Sequence, residues 1–174
     1  MSKGVRKIVI SGPESTGKTS LTISLSGHFN GQYVPEYARE YITELKRPYK
    51  YSDVEHIAEM QVRLEREMLG KARQFLFYDT YLIITKVWFK VVYGKYPDWL
   101  DDYLGNAGID LFLLCFPDLP WISDPVRENP GEMRLRLFNM YMEEAGYFGF
   151  PVRVIKGTGQ LRYRNAVEAV NDLA

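Results

Sequence analysis

Gly12-Pro13-Glu14-Ser15-Thr16-Gly17-Lys18-Thr19 fits the pattern G-x-x-x-x-G-K-[ST], and its flanks decide how it reads. Before it, Val5 to Ser11 is a short apolar run of strand character; after it, Leu21, Ile23 and Leu25 lead into a helix closing near Gly27. Between a buried strand and a helix N-terminus, glycines let backbone N–H groups turn inward on an anion, and the helix end adds partial positive charge. Lys18 then reaches the outer phosphates of a nucleoside triphosphate, and the Thr19 hydroxyl is placed to ligate Mg²⁺. The expected phosphate site is Gly12, Pro13, Glu14, Ser15, Thr16, Gly17, Lys18 and Thr19, with Ser20 following.

Outward from the loop, strand-like runs recur at 5–11, 31–34, 74–79, 110–116 and 152–156, with helical patterns between them. Such alternation signals an α/β fold with a five-stranded parallel sheet and helices on both faces. Helices are expected from Glu36 to Lys46, closed by Pro48, and from Ser52 as N-cap, with Glu55 completing a capping box. Further helices follow Asp79 as far as Gly94, start at Pro97, and run from Gln160 to Leu173. Pro117 to Gly131 holds four prolines without periodicity and reads as a functional loop, extended to Arg136 as a lid candidate over about 117–136. With 174 residues, a single domain over 1–174 is expected.

Composition narrows the partners. Twenty-two Lys and Arg balance 22 Asp and Glu, which argues against a nucleic-acid binder, whose affinity needs a basic face. No apolar run approaches the roughly 20 residues of a membrane span, and Met1-Ser2-Lys3-Gly4 leads into the first strand without a signal pattern, so a cytoplasmic protein is expected. The single Cys115 sits in an apolar run, so disulfides and Cys-based metal sites are excluded; His28 and His56 have no partner at ligand spacing. Oligomeric state is not fixed by any of these features.

A phosphate loop needs a second acidic position. Phe75-Leu76-Phe77-Tyr78 ends on Asp79, which would lie at the C-terminal edge of a strand beside the loop strand and hold Mg²⁺, or else cap the next helix. Glu36 ends the second strand on the same edge, where a carboxylate can accept a proton from a hydroxyl acceptor; Tyr37 and Arg39 follow it. In the lid candidate, Trp121, Asp124 and Arg127 precede Arg134 and Arg136; planar guanidinium forks suit a transferring phosphoryl group, which is the reading for Arg127 and one of two for Arg134, the other being surface charge, while Arg136 reads as a solvated charge. Gly157-Thr158-Gly159 is an adenine-side loop or a plain turn, while Trp88 reads as core and Trp99 as packing for the short fifth helix. The absence of N-K-x-D disfavours a Ras-like GTPase, and Thr80 after Asp79 leaves no acidic pair of the kind ring-forming ATPases carry.

G-P-E-S-T-G-K-T, then V-P-E-Y-A-R-E-Y, then Y-D-T with Thr85-Lys86-Val87-Trp88, then L-P-W-I-S-D-P-V-R-E-N, together resemble the ribosylnicotinamide (nicotinamide riboside) kinase domain of NadR-type proteins. The resemblance runs in order along nearly the whole chain. It implies a nucleoside-kinase-like P-loop NTPase fold of the AAA-type ATPase family, and phosphorylation of the 5′-hydroxyl of nicotinamide riboside by ATP with Mg²⁺. By residue it implies catalytic roles for Lys18, Glu36, Asp79 and Arg127, metal binding by Thr19 and Asp79, and substrate contacts from Glu36, Tyr37, Arg39, Asp79, Trp121 and Asp124. Tyr81 stands where the family often has a second acid, and Pro35 where it often has an aromatic. The ring of nicotinamide riboside is cationic, so Tyr37 and Trp121 are the expected aromatic faces for it. A kinase for another nucleoside or small alcohol, and a non-catalytic GTP- or phosphoinositide-binding protein, remain the alternatives.

Overall fold

The computed structural model describes residues 4–173. Five strands, β1 (Arg6–Ser11), β2 (Gln32–Val34), β3 (Phe75–Asp79), β4 (Leu111–Cys115) and β5 (Val152–Ile155), form one sheet in the order β2-β3-β1-β4-β5. Every pairing is parallel, with Ile10 opposite Asp79 and Leu113. Each strand lies within two residues of its expected bounds, because fully buried apolar runs such as Phe75–Asp79 and Leu111–Cys115 leave little freedom in where pairing starts and stops.

Among the described residues seven helices cover the sheet: α1 (Lys18–His28), α2 (Tyr37–Glu44), α3 (Tyr51–Leu69), α4 (Leu82–Tyr93), α5 (Trp99–Gly105), α6 (Glu132–Tyr147) and α7 (Gly159–Asn171). Alternation along β1 sends Ile8 and Ile10 to one face, against Leu21 and Leu25 of α1 and Ala166 and Val170 of α7. Val9 goes to the other face, with Val54, Ala58, Val87, Leu137 and Tyr141 from α3, α4 and α6. Chain order reverses at β1, with β3 on one side and β4 on the other, so the C-terminal ends of these strands open the crevice in which such sheets bind ligands. No helix among the described residues is long and apolar enough to cross a membrane.

Two expectations are corrected. α3 starts at Tyr51, two residues earlier than a Ser52 cap allows, with Lys50 as its N-cap, and its N-terminus is organised by Asp53, whose carboxylate accepts the Lys50 backbone N–H at 2.8 Å. Arg47 and Tyr41 also donate to that carboxylate, and the Arg47 guanidinium holds Asp53 well below the usual carboxylate range. The lid candidate is also too long: residues 132–136 are the first turn of α6, which buries Arg134, Leu137, Phe138, Tyr141 and Ala145. Gly131, with φ 63°, ends the irregular segment just before it.

Candidate functional site

The phosphate loop lies between β1 and α1, as its flanks dictate. Gly12 has φ 147°, and a Cβ there would stand 2.7 Å from the Cys115 carbonyl; Gly17 is left-handed at φ 74°. Behind the loop, buried arginines seize consecutive carbonyls. Arg134, 7% exposed, donates from Nε to Glu14 O at 3.1 Å, from Nη2 to Ser15 O at 2.9 Å and from Nη1 to Leu119 O at 2.9 Å. Arg162, 4% exposed, donates to Thr16 O at 3.1 Å while also holding Gly157 O, Phe116 O and Asp118. Because a planar trans peptide sets its N–H opposite its C=O, carbonyls pulled outward at 14, 15 and 16 turn the following N–H groups inward. Lys18 Nζ rests on Pro13 O at 2.9 Å, the position from which a phosphate would draw it.

Asp79 ends β3, and the N-cap of α4 is Tyr81, so the carboxylate is not spent on capping. It is 2% exposed; Oδ2 accepts the Thr19 hydroxyl at 2.6 Å, and Oδ1 has no partner among the described residues. Burial pushes its pKa up, opposed by the Thr19 bond and by the Lys18 and Arg39 charges. An orphaned carboxylate oxygen beside a hydroxyl at the mouth of a phosphate loop suits a hard cation, with Thr19 and Asp79 as the residues that would hold Mg²⁺. Among the described residues no three His, Cys, Asp or Glu side chains converge on a metal position, so phosphate and water would complete its shell. Tyr81 is buried against Tyr78, with ring centroids 5.1 Å apart, and also lines the cavity, so an aromatic ring stands at this position where an acid would be.

A cavity of about 320 Å³ runs from the loop across the sheet edge. Its floor and one end carry the loop residues Gly12 and Glu14 to Ser20, together with Glu36, Arg39 and Arg127. Glu36 is the N-cap residue of α2 but makes no side-chain capping bond, leaving its carboxylate to the cavity. Burial raises its pKa; Lys18 and Arg39 oppose that, and Asp79 and Glu14 add to it. The lid leans over this end. Asp124 accepts from Arg39 at 2.9 Å and pairs with Arg127 Nε at 3.1 Å; Arg127 also donates to Ile122 O. Glu14 accepts the backbone N–H groups of Glu128 and Asn129 at 3.1 and 2.9 Å, and Ser15 exchanges bonds with the backbone of Ile122.

The other end of the cavity is apolar and aromatic. Ile57 and Gln61 of α3, Ile84, Thr85 and Trp88 of α4, Tyr49 and Tyr141 line it, and Tyr49 meets Trp88 edge-on with centroids 4.9 Å apart. Trp88 therefore belongs to the cavity wall rather than to closed core, while Trp99 packs on Tyr103 as its position suggested. Tyr37 and Trp121 do not line the cavity. The Tyr37 ring turns to Tyr41 and His56, its hydroxyl 3.3 Å from His56 Nε2, on the side of α2 that meets α3. Trp121 lies over Arg134, 6.0 Å from ring centroid to guanidinium carbon. Pro13 gives only its carbonyl, and the Gly157 turn is tied to Asp118 rather than to the cavity. Arg162 escaped the sequence reading; its one signal is a charged residue four before Ala166 on the buried stripe of α7.

A parallel sheet reversing at β1, a phosphate loop feeding α1 and an acid ending the adjacent strand β3 define a P-loop NTPase fold of nucleoside-kinase type. The chain belongs to the AAA domain family, whose model matches residues 7–162. It is 27% identical over 176 residues to the trifunctional NAD biosynthesis/regulator protein NadR of Escherichia coli (strain K12), covering 97% of this chain and 43% of the relative. A crystal structure of NadR protein in complex with NR superimposes with a TM-score of 0.84 at 24% identity, over 97% of this chain and 51% of that one. A second, of NadR protein in complex with NAD and AMP-PNP, gives a TM-score of 0.76 at 23% identity, over 97% of this chain and 49% of that one. The chain thus spans about half the length of these relatives, or less.

Proposed function

We propose that this chain is an ATP-dependent kinase that phosphorylates the 5′-hydroxyl of nicotinamide riboside, giving nicotinamide mononucleotide. The observation that carries the reading is one cavity with two chemically distinct ends: a phosphate loop with Lys18, Arg39 and Arg127 at one, and an aromatic and aliphatic slot of Tyr49, Trp88 and Ile57 at the other, with the Glu36 carboxylate on its wall. A nucleoside has the matching polarity, a flat ring joined through a sugar to the hydroxyl that receives phosphate. Likeness to NadR, one of whose structures holds NR and another AMP-PNP, supports both the acceptor and the donor.

Each residue then has a physical task. The loop N–H groups and Lys18 cradle the ATP phosphates, and Thr19 and Asp79 hold Mg²⁺, which when bound neutralises phosphate charge. Glu36 accepts the proton of the 5′-hydroxyl; its raised pKa makes it a better proton acceptor than a solvated carboxylate. Arg127, delivered by the lid and oriented by Asp124, adds a planar donor pair to the phosphoryl group in flight. The lid over 117–131 and the sheet act together as one kinase domain. Purified protein given ATP, Mg²⁺ and nicotinamide riboside should release ADP, and Lys18→Ala should abolish that release while the melting temperature holds. Equal turnover by Lys18→Ala would remove the loop from the chemistry.

A further inference from the structure

Gln61 is a buried polar side chain for which the fold gives no reason. It lies on α3, one turn beyond Ile57, and both line the aromatic end of the cavity. It is 5% exposed, and its Nε2 finds no acceptor among the described residues. A buried amide donor without a partner costs stability, and native proteins keep such groups where a ligand supplies the missing acceptor. Around it the wall is Ile57, Ile84, Thr85 and Trp88, contributed by α3 and by α4, which packs against it. The cationic residues of the cavity are Lys18, Arg39 and Arg127: Lys18 belongs to the phosphate loop, and the two arginines are both tied to Asp124 of the lid. The slot that takes the ring therefore offers an amide donor and an aromatic face, and none of the residues that α3 and α4 contribute to its lining carries a charged donor; Lys86 of α4 is turned away to Asp101 and Glu144.

We propose that Gln61 determines substrate choice by donating from Nε2 to the carboxamide oxygen of the substrate's pyridinium ring, an inference that rests on the nicotinamide riboside reading. The ring would lie against Trp88 while its carboxamide meets Gln61, so that one residue rewards the aromatic cation and the other its substituent. A riboside bearing a carboxylate in place of the carboxamide would face an amide and apolar walls with no countercharge, and such burial is unfavourable. A riboside with no substituent leaves Gln61 Nε2 unpaired.

The test is binding rather than turnover. Nicotinamide riboside and unsubstituted pyridinium riboside are each titrated calorimetrically into the protein held with Mg²⁺ and a non-hydrolysable ATP analogue. Wild type should bind the carboxamide ligand about tenfold more tightly, and Gln61→Leu should bring the two within about twofold, with affinity for the ATP analogue unchanged. Should Gln61→Leu fail to fold, Gln61→Met, which keeps the length of the chain, carries the same expectation. A variant that retains the wild-type ratio, or a wild type that binds both ribosides equally or neither, overturns the assignment. Tight, Gln61-dependent binding without ADP release on switching to ATP would instead uphold it and remove the kinase reading.

Discussion

The Thr19 hydroxyl donates to Asp79 Oδ2 at 2.6 Å, tying the first turn of α1 to the last residue of β3 and leaving Asp79 Oδ1 buried without a partner among the described residues. The pair offers two oxygens that would form part of a Mg²⁺ shell. Asp79→Asn keeps the volume but removes the charge that draws Mg²⁺. It should lower kcat about a hundredfold or more and shift the Mg²⁺ titration to higher concentration, with folding intact. An unchanged Mg²⁺ dependence would reduce Asp79 to a brace for Thr19.

Glu36 makes a pH-dependent case with a defined sign. Its folded-state pKa is raised, chiefly by burial, so the stability linked to its protonated form is full below the unfolded value of about 4.3 and lost as pH rises through the folded value. Glu36→Gln, permanently neutral, should therefore melt above wild type at pH 7, with the gap closing below about pH 4. The same substitution should cut kcat more than it raises KM. Higher stability with full activity would make Glu36 a buried charge without a catalytic task.

The two lid-side arginines should respond differently. Arg127 sits on the cavity wall, and Arg127→Lys keeps charge but loses the fork, so turnover should fall at least about tenfold with the melting temperature nearly unchanged. Arg134 has its Nε and both Nη groups on backbone carbonyls of the loop and lid, so Arg134→Lys should lower the melting temperature and raise KM for ATP together. Interchanged behaviour in steady-state kinetics and thermal melts would reverse the assignments.

The aromatic wall separates Trp88 from Tyr37. Trp88→Ala should raise KM for nicotinamide riboside about two- to thirtyfold, the range a cation–π contact of about 0.5–2 kcal/mol supports, and leave KM for ATP within twofold. Tyr37→Ala, whose ring faces Tyr41 and His56, should move that KM far less. A larger effect at Tyr37 would place the ring on the α2 side.

These contrasts mark what sequence can carry. The loop, its strand and Asp79 are local: a motif bounded by an apolar run and a helix admits one arrangement, and a buried strand ending on an acid puts that acid at the sheet edge. The aromatic slot is not local. Tyr49, Gln61, Trp88 and Tyr141 come from three helices and a loop, and spacing along any one of them cannot tell cavity wall from core. Sequence nearness misleads in the same way: Tyr37 adjoins Glu36 in the chain, yet successive helix residues point about 100° apart, and its ring goes to His56. Arg134 and Arg162 act on loop carbonyls 119 and 146 residues away in the chain, a relationship visible only once the sheet has closed. α6 is absent from the helices expected from sequence: the prolines before it carry the lid candidate as far as Arg136, although Leu137, Tyr141 and Ala145 recur at helical spacing and are buried in the structure.

The most direct measurement of substrate and chemistry together is a nucleoside panel with ATP and Mg²⁺, in which ADP release and the phosphorylated product are quantified side by side. Nicotinamide riboside should give nicotinamide mononucleotide in one-to-one ratio with ADP, at a kcat/KM well above that for uridine, cytidine or adenosine. Turnover confined to another nucleoside, or ADP release unaffected by every acceptor, would contradict it.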